Sequence, residues 1–451
     1  MRKSLLFILA ASSLVITCKN LESADPAPRS TFIKFYEGPY SITAIGVEKI
    51  PGGFAILGNM NRITEKGIQI QTVLIETDEQ GVRKGDFHYY DRVTSRAFKP
   101  IIKSGALDQY IIVGDSISVN PTAQQSANVE IYSISVLLVP KSFEKEKEKR
   151  KYIRDLSTDS TKIRNDYFAG SIGLTGNSTG TGAVILGTFK EGITNQQNAP
   201  EEQLLWGLDT DFNNDWETRY PLLTNTYSNA KSVHYRNGNI IWASAIADVQ
   251  GDFISSYLAI PFVKEQSVPI NFSQFKETTS QRFLPKDIQP ASSPEFGYGV
   301  VGTYSEAIDG SKSNLFFLRV TADGTIIKGS ERYFDAIGTI DDSTPDIIGN
   351  ESEIIDTGDA ITSTSDGGFL LAGTLTTNPA KGNGGKDLLL IKVNSVGDLV
   401  WIKTMGGIGD EQPVAVTEAA NGDILVCGTN NLLNYSSIFL MRIDKNGELK
   451  N

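Results

Sequence analysis

DAITSTSDGGFLLAGTLTTNPAKGNGGKDLLLIKVNSVGDLVWIKTMGG, residues 359–407, is answered by the stretch that follows it, VAVTEAANGDILVCGTNN and then SIFLMRIDKNGELK, within 412–450. Laid side by side, Asp366-Gly367-Gly368-Phe369 meets Asn421-Gly422-Asp423-Ile424, and Ala372-Gly373-Thr374 meets Cys427-Gly428-Thr429. Ile391-Lys392-Val393-Asn394 meets Met441-Arg442-Ile443-Asp444, and Val396-Gly397-Asp398 meets Asn446-Gly447-Glu448. A self-similar unit of this length decides the architecture before any single residue does. Each unit reads as four short apolar strands. A glycine turn follows the first, Gly-Thr ends the second, and an Asx-Gly turn follows the third. The fourth carries Trp401-x-Lys403-Thr404.

Weaker copies extend upstream. Gly52-Gly53-Phe54 with Leu57-Gly58, Tyr110 to Gly114, Gly182 to Thr188, Arg236 to Trp242 and Phe296 to Thr303 each open a unit, which brings the count to seven. Six and eight are the alternative counts. The units resemble the tandem β-propeller repeats of bacterial exported proteins, marked by D-G-G-F, Gly-Thr, I-K-x-D/N-x-x-G and W-x-K-T-x-G-G. The resemblance implies an all-β fold, a single β-propeller of four-stranded blades over 31–451. The last unit stops without its Trp-x-Lys-Thr strand, and Phe32-Ile33-Lys34-Phe35-Tyr36-Glu37-Gly38 supplies a match. Strand 31–38 is therefore expected to complete the last blade as its outer strand and close the ring.

The N-terminus has a different character. Arg2 and Lys3 precede an apolar run, Leu5 to Ile16, that is too short to span a bilayer as a mature helix. Residues 1–17 read as a signal peptide. Val15-Ile16-Thr17-Cys18 resembles a bacterial lipobox, which implies cleavage before Cys18 and acylation of that residue, the lipid then holding the chain on a membrane. Residues 18–30 read as the lipidated cysteine and a flexible tether, polar with two prolines. The expected location is the outer membrane, on the cell surface or the periplasmic side. Of two cysteines, the lipid would consume Cys18, so Cys427, in an apolar run, reads as a small buried hydrophobe.

The formal charge of -11 becomes -13 once Arg2 and Lys3 are removed. That excludes the basic stripe expected of a nucleic-acid binder and permits cation binding. The segment 335–358 collects Asp341, Asp342, Asp346, Glu351, Glu353 and Asp356 with no Lys or Arg. Such a cluster offers oxygen ligands for Ca2+, its alternative reading being a solvated acidic loop. Asp209 to Glu217 also looks like a calcium loop, but it falls where the repeat needs an Asx turn and lacks the mid-loop glycine. Two histidines, His88 and His234, neighbour no metal-ligand partner at zinc spacing, and no Gly-x-Ser-x-Gly or His-Glu-x-x-His motif occurs.

In a four-stranded meander, the second-to-third turn lies at the same end as the connection to the next blade. The long insertions, 59–71, 116–127, 189–202, 304–313 and 375–386 among them, fall at that end. The resulting expectation is a monomeric binding or scaffold propeller that recognises an envelope protein or a glycan through its loop-rich face. A carbohydrate-active enzyme with carboxylates at the central funnel, and a purely structural envelope component, are the other two readings.

Overall fold

The computed structural model describes residues 31–65, 67–120, 129–153, 164–177, 180–192, 201–221, 226–236, 239–248, 253–259, 272–274, 282–293, 296–305, 313–334, 339–340, 356–376 and 385–449. Those residues are almost entirely strand. Consecutive strands pair antiparallel as meanders: four-stranded sheets within 42–91, 94–153, 164–221 and 226–274, and a five-stranded one within 282–340. An eight-stranded sheet holds two further meanders, 357–405 and 410–443, joined through the single parallel pair Lys386↔Asp410. The N-terminal strand Phe32–Tyr36 pairs antiparallel with Tyr435–Ile443, from Phe32↔Arg442 to Tyr36↔Ile438. Tyr36 fixes the join by donating its hydroxyl to the Gly81 carbonyl at 2.7 Å. This is a β-propeller arrangement.

The first strand of each meander touches the first strand of the next, and Asp410–Glu418 touches Ile42–Ile50 in turn. We call these the inner strands. The apolar core is distributed in the seams between neighbouring meanders. Ile50, Leu57 and Leu74 meet Phe98, Tyr110 and Leu137 in one seam. In another, Ile42, Phe54 and Val73 meet Leu425, Ile438 and Leu440, so the first and last meanders share a core. Each fully buried Leu, Ile or Phe contributes roughly 1.5–3 kcal/mol, and no meander could bury both faces alone. Cys427 is fully buried in the same seam.

The repeat signature has a physical cause. Every inner strand carries a β-bulge against its second strand, skipping Ile45, Arg96, Gly170, Lys231, Lys286, Asp359 and Val414 in turn. At the bulge the two backbones close up. A Cβ on Gly428 would sit 2.2 Å from the Gln412 carbonyl oxygen, and Gly114 faces the Thr94 carbonyl at 2.3 Å. The residue after the glycine then bonds the next sheet. Thr429 Oγ1 accepts the Ala44 N–H at 2.9 Å, Asn59 Oδ1 that of Ser95 at 3.0 Å, and Asp115 Oδ1 that of Ala169 at 2.7 Å. Thr303 Oγ1 accepts Gly358 N–H at 3.3 Å. Pro413 has no N–H to offer, and Thr374 turns its hydroxyl to Asp359 Oδ2 instead, at 3.1 Å.

The third-to-fourth turns are equally uniform. Asn394 Oδ1 accepts the N–H groups of Val396 and Asp398, and Asp444 Oδ1 those of Asn446 and Glu448. Asp209 does the same for Asp211 and Asn213. Its carboxylate is held below the ordinary range chiefly by the Asn213 N–H. The calcium-like run is thus the repeat turn, with Phe212 at φ 58° where the others have glycine.

One expected loop is a strand pair. Residues 59–71 form the end of a hairpin in which Gly53–Thr64 and Gly67–Thr77 pair without interruption. The first strand of that sheet pairs only as far as Met60, and the fourth only as far as Gln71. Beyond those points the hairpin continues as a two-stranded ribbon. Ala106–Asn120 and Val129–Pro140 likewise run past their neighbours.

Candidate functional site: the channel between the inner strands

The inner strands surround a cavity of about 180 Å³. The bulges direct unlike residues onto it. Arg96, Lys286 and Asp359, all at bulge positions, line it together with Glu48, Lys99 and His234. Its walls also carry Ser171, Ser232, Asp287 and Gln289, so the lining is polar where a drug-like pocket would be apolar.

Lys99 Nζ lies 2.5 Å from Glu48 Oε1. Burial alone would lower the Lys99 pKa, but Glu48 beside it and the more distant Asp287 outweigh that, and the ammonium is held above its ordinary value. The same charge acts on His234. Burial, reinforced by Lys99, lowers the His234 imidazole to about 3, so it is neutral throughout the physiological range. Its ring stands 3.4 Å from Ser232 Oγ, which also donates to the Ile288 carbonyl at 3.3 Å.

Two carboxyls on the channel are pushed up. Burial raises Asp287 against hydrogen bonds from the Ile361 N–H, Ser232 and Gln289. Asp287 Oδ2 accepts Ile361 N–H at 3.1 Å, which ties one inner strand to the next. Burial also raises Asp359, whose Oδ2 accepts the hydroxyls of Thr357 at 2.8 Å and Thr374 at 3.1 Å. Arg96 donates from Nε to Asp115 Oδ2 at 2.7 Å and remains half exposed.

None of these channel residues stands out in the sequence. A bulge position looks like any other in a strand, and the ring appears only once the meanders are aligned by register. Of the acids in 335–358, Asp341, Asp342, Asp346, Glu351 and Glu353 lie outside the described residues, as does Cys18. Asp356 is fully buried, and its Oδ1 accepts the Thr376 N–H at 3.3 Å. Among the described residues no three His, Cys, Asp or Glu are grouped to hold a metal ion.

The end bearing the second-to-third turns and the inter-sheet connections has a second feature. Ile63 and Ile68 pair across the ribbon, and Ile70 lies on the same face as Ile68. Ile63 is 68% and Ile68 71% exposed. Ile117, Ile408 and Leu433 are exposed at the same end. Leu433 is 91% exposed and occupies a positive-φ turn position, φ 48°, beside Asn434 at 67°.

No protein-family model matches the chain, and no curated protein matches it in sequence. Among solved structures, the chain is similar to Trypanosoma rangeli sialidase in complex with sialic acid, at 12% identity and a TM-score of 0.41 over 92% of this chain and 57% of that one. It is similar to uncomplexed Pyrococcus horikoshii acylaminoacyl peptidase, at 10% identity and a TM-score of 0.43 over 92% of this chain and 55% of that one. The β-propeller domain of the Trilobed protease from Pyrococcus furiosus matches at 11% identity and a TM-score of 0.40, over 92% of this chain and 97% of that one. The chain spans little more than half the length of the sialidase and peptidase chains it matches.

Proposed function

We propose that the protein is a closed seven-bladed β-propeller, held on the outer membrane by lipid at Cys18, that binds a partner protein with the end carrying its second-to-third turns. Seven inner strands in cyclic contact support the count. The Phe32–Tyr36 strand, as outer strand of the last blade, supports closure. Lipidation rests on the lipobox-like Val15 to Cys18.

The ribbon carries the functional reading. Residues 67–70 alternate apolar and polar like a half-buried strand, and Ile63 pairs with Ile68 across the ribbon, yet Ile63, Ile68 and Ile70 face solvent. Single exposed aliphatics in turns, such as Val82 and Val396, are ordinary. Three on one face of a projecting ribbon are the signature of a surface that something covers. An apolar face suits a protein better than a glycan. Phe32 opposes Arg442 at the far end of the sheet from the second-to-third turn, so a chain anchored through its N-terminus would hold the partner end away from the membrane.

Photocrosslinking in intact cells tests the reading. A photoreactive residue at 68 or 433 should give one discrete adduct, and one at 396, in an opposite-end turn, should give none. Adducts of equal yield from all three positions, or from none, refute it.

The enzyme reading draws on Asp287 and Asp359, two carboxyls raised by burial on one channel. Each is engaged as a clamp within or between inner strands, a structural use that needs no substrate. Binding is therefore the reading we favour.

A further inference from the structure

The channel carries an imbalance between donors and acceptors. Its carboxylates all have partners. Glu48 receives Lys99, Asp287 receives Ile361 N–H with Ser232 and Gln289, and Asp359 receives two threonine hydroxyls. Its cations are not spent to the same degree. Among the described residues Lys286 makes no hydrogen bond or ion pair, although its charge acts on Asp359 from a greater distance. Arg96 uses Nε alone, leaving the donors of its two terminal nitrogens uncommitted among the described residues. Lys99 has one of its three donors engaged. Arg96 and Lys286 occupy equivalent bulge positions on different inner strands. Arg96, Lys99 and Lys286 thus line one cavity in a chain whose formal charge is -11.

We propose that the channel is a binding site for a small organic acid, whose carboxylate is received by Lys286 and Arg96. Unspent ammonium and guanidinium donors call for a ligand that brings acceptors and negative charge. The fork of Arg96 suits a planar carboxylate. The cavity of about 180 Å³ has room for an acid of a few carbons. Ser171 lines the same cavity and offers a hydroxyl to the rest of such a molecule. The site is separate from the ribbon, so it stands or falls independently of the partner reading.

The test is isothermal titration calorimetry of the full chain in detergent. The probes are acetate, succinate, citrate and inorganic phosphate, with succinamide as an uncharged control, at low and at physiological salt. One of the carboxylates should bind with 1:1 stoichiometry, and succinamide should give no saturable heat. Lys286→Gln and Arg96→Gln should each weaken binding at least tenfold. Lys286 makes no hydrogen bond or ion pair among the described residues, so an unchanged melting temperature for Lys286→Gln establishes that its loss of binding is local. Absence of saturable heat from every carboxylate overturns the proposal, as does saturation by phosphate alone. Equal binding by succinamide, or full affinity in a folded Lys286→Gln protein, overturns it as well.

Discussion

Replacing His234 with Gln should remove a defined part of the protein's sensitivity to acid. In the folded chain the imidazole protonates only near pH 3, because burial and the Lys99 charge both oppose a second positive charge on the channel. In the unfolded chain it protonates near the ordinary value of about 6.5. Between those two values the unfolded state binds the extra proton, so stability falls as pH falls and levels off only once the folded form also protonates. From pH 7.5 to 5.5 this single group should cost about 1.4 kcal/mol. Asp287 and Asp359 act in the opposite sense, since their raised folded values let the native state take protons first. They are present in both proteins and largely cancel in the comparison. Urea unfolding of wild type and His234→Gln at pH 7.5, 6.5 and 5.5 gives the difference directly. A wild-type-minus-variant curve flat to within about 0.3 kcal/mol would refute the reasoning. So would a folded-state imidazole resonance titrating near 6.5, which is readily assigned because His88 is the only other histidine.

Thr429→Val should strand the buried Ala44 N–H and cost about 1–3 kcal/mol in urea unfolding, whereas Thr429→Ser should restore most of it. Tyr36→Phe loses the bond to the Gly81 carbonyl and should cost about 1 kcal/mol, with unfolding still a single transition. The double change Ile63→Ser with Ile68→Ser should leave stability within about 0.5 kcal/mol of wild type, since neither side chain is buried, while abolishing the crosslink from position 433. Cys18→Ser should move the protein from the membrane to the soluble fraction of lysed cells without altering its melting temperature.

The part of the fold legible in the sequence is the part that the backbone dictates. Asp366-Gly367-Gly368 and Asn394 to Asp398 are turns because the local chain requires them, and their spacing survives in every well-kept repeat. Gly-Thr is legible for a longer-range reason. The glycine admits the neighbouring carbonyl and the threonine bonds the next sheet, so both recur wherever two meanders meet. The join of Phe32–Tyr36 to the last meander was also legible, because that unit lacked a strand and the N-terminus held a matching one. The channel was not. Arg96, Lys286 and Asp359 share a structural position but no local sequence pattern, and their convergence depends on register from one meander to the next. The ribbon within 61–70 looks like a loop in the sequence because Asn, Arg, Thr and Gln dilute its three isoleucines. The alternation is visible only beside a partner strand of known register.

The join between the first strand and the last meander also has a mechanical meaning. If the chain is held through its N-terminus as proposed, a pull enters the fold at residue 31 and runs along the axis of Phe32–Tyr36, parallel to the strand Tyr435–Ile443 with which it pairs. Five register pairs, Phe32↔Arg442 through Tyr36↔Ile438, then bear the load together in shear, where a strand peeled from its edge would yield one pair at a time. Under the proposed lipidation at Cys18, the strand that completes the last sheet would also be a strain-resistant coupling between the lipid and the sheets it carries.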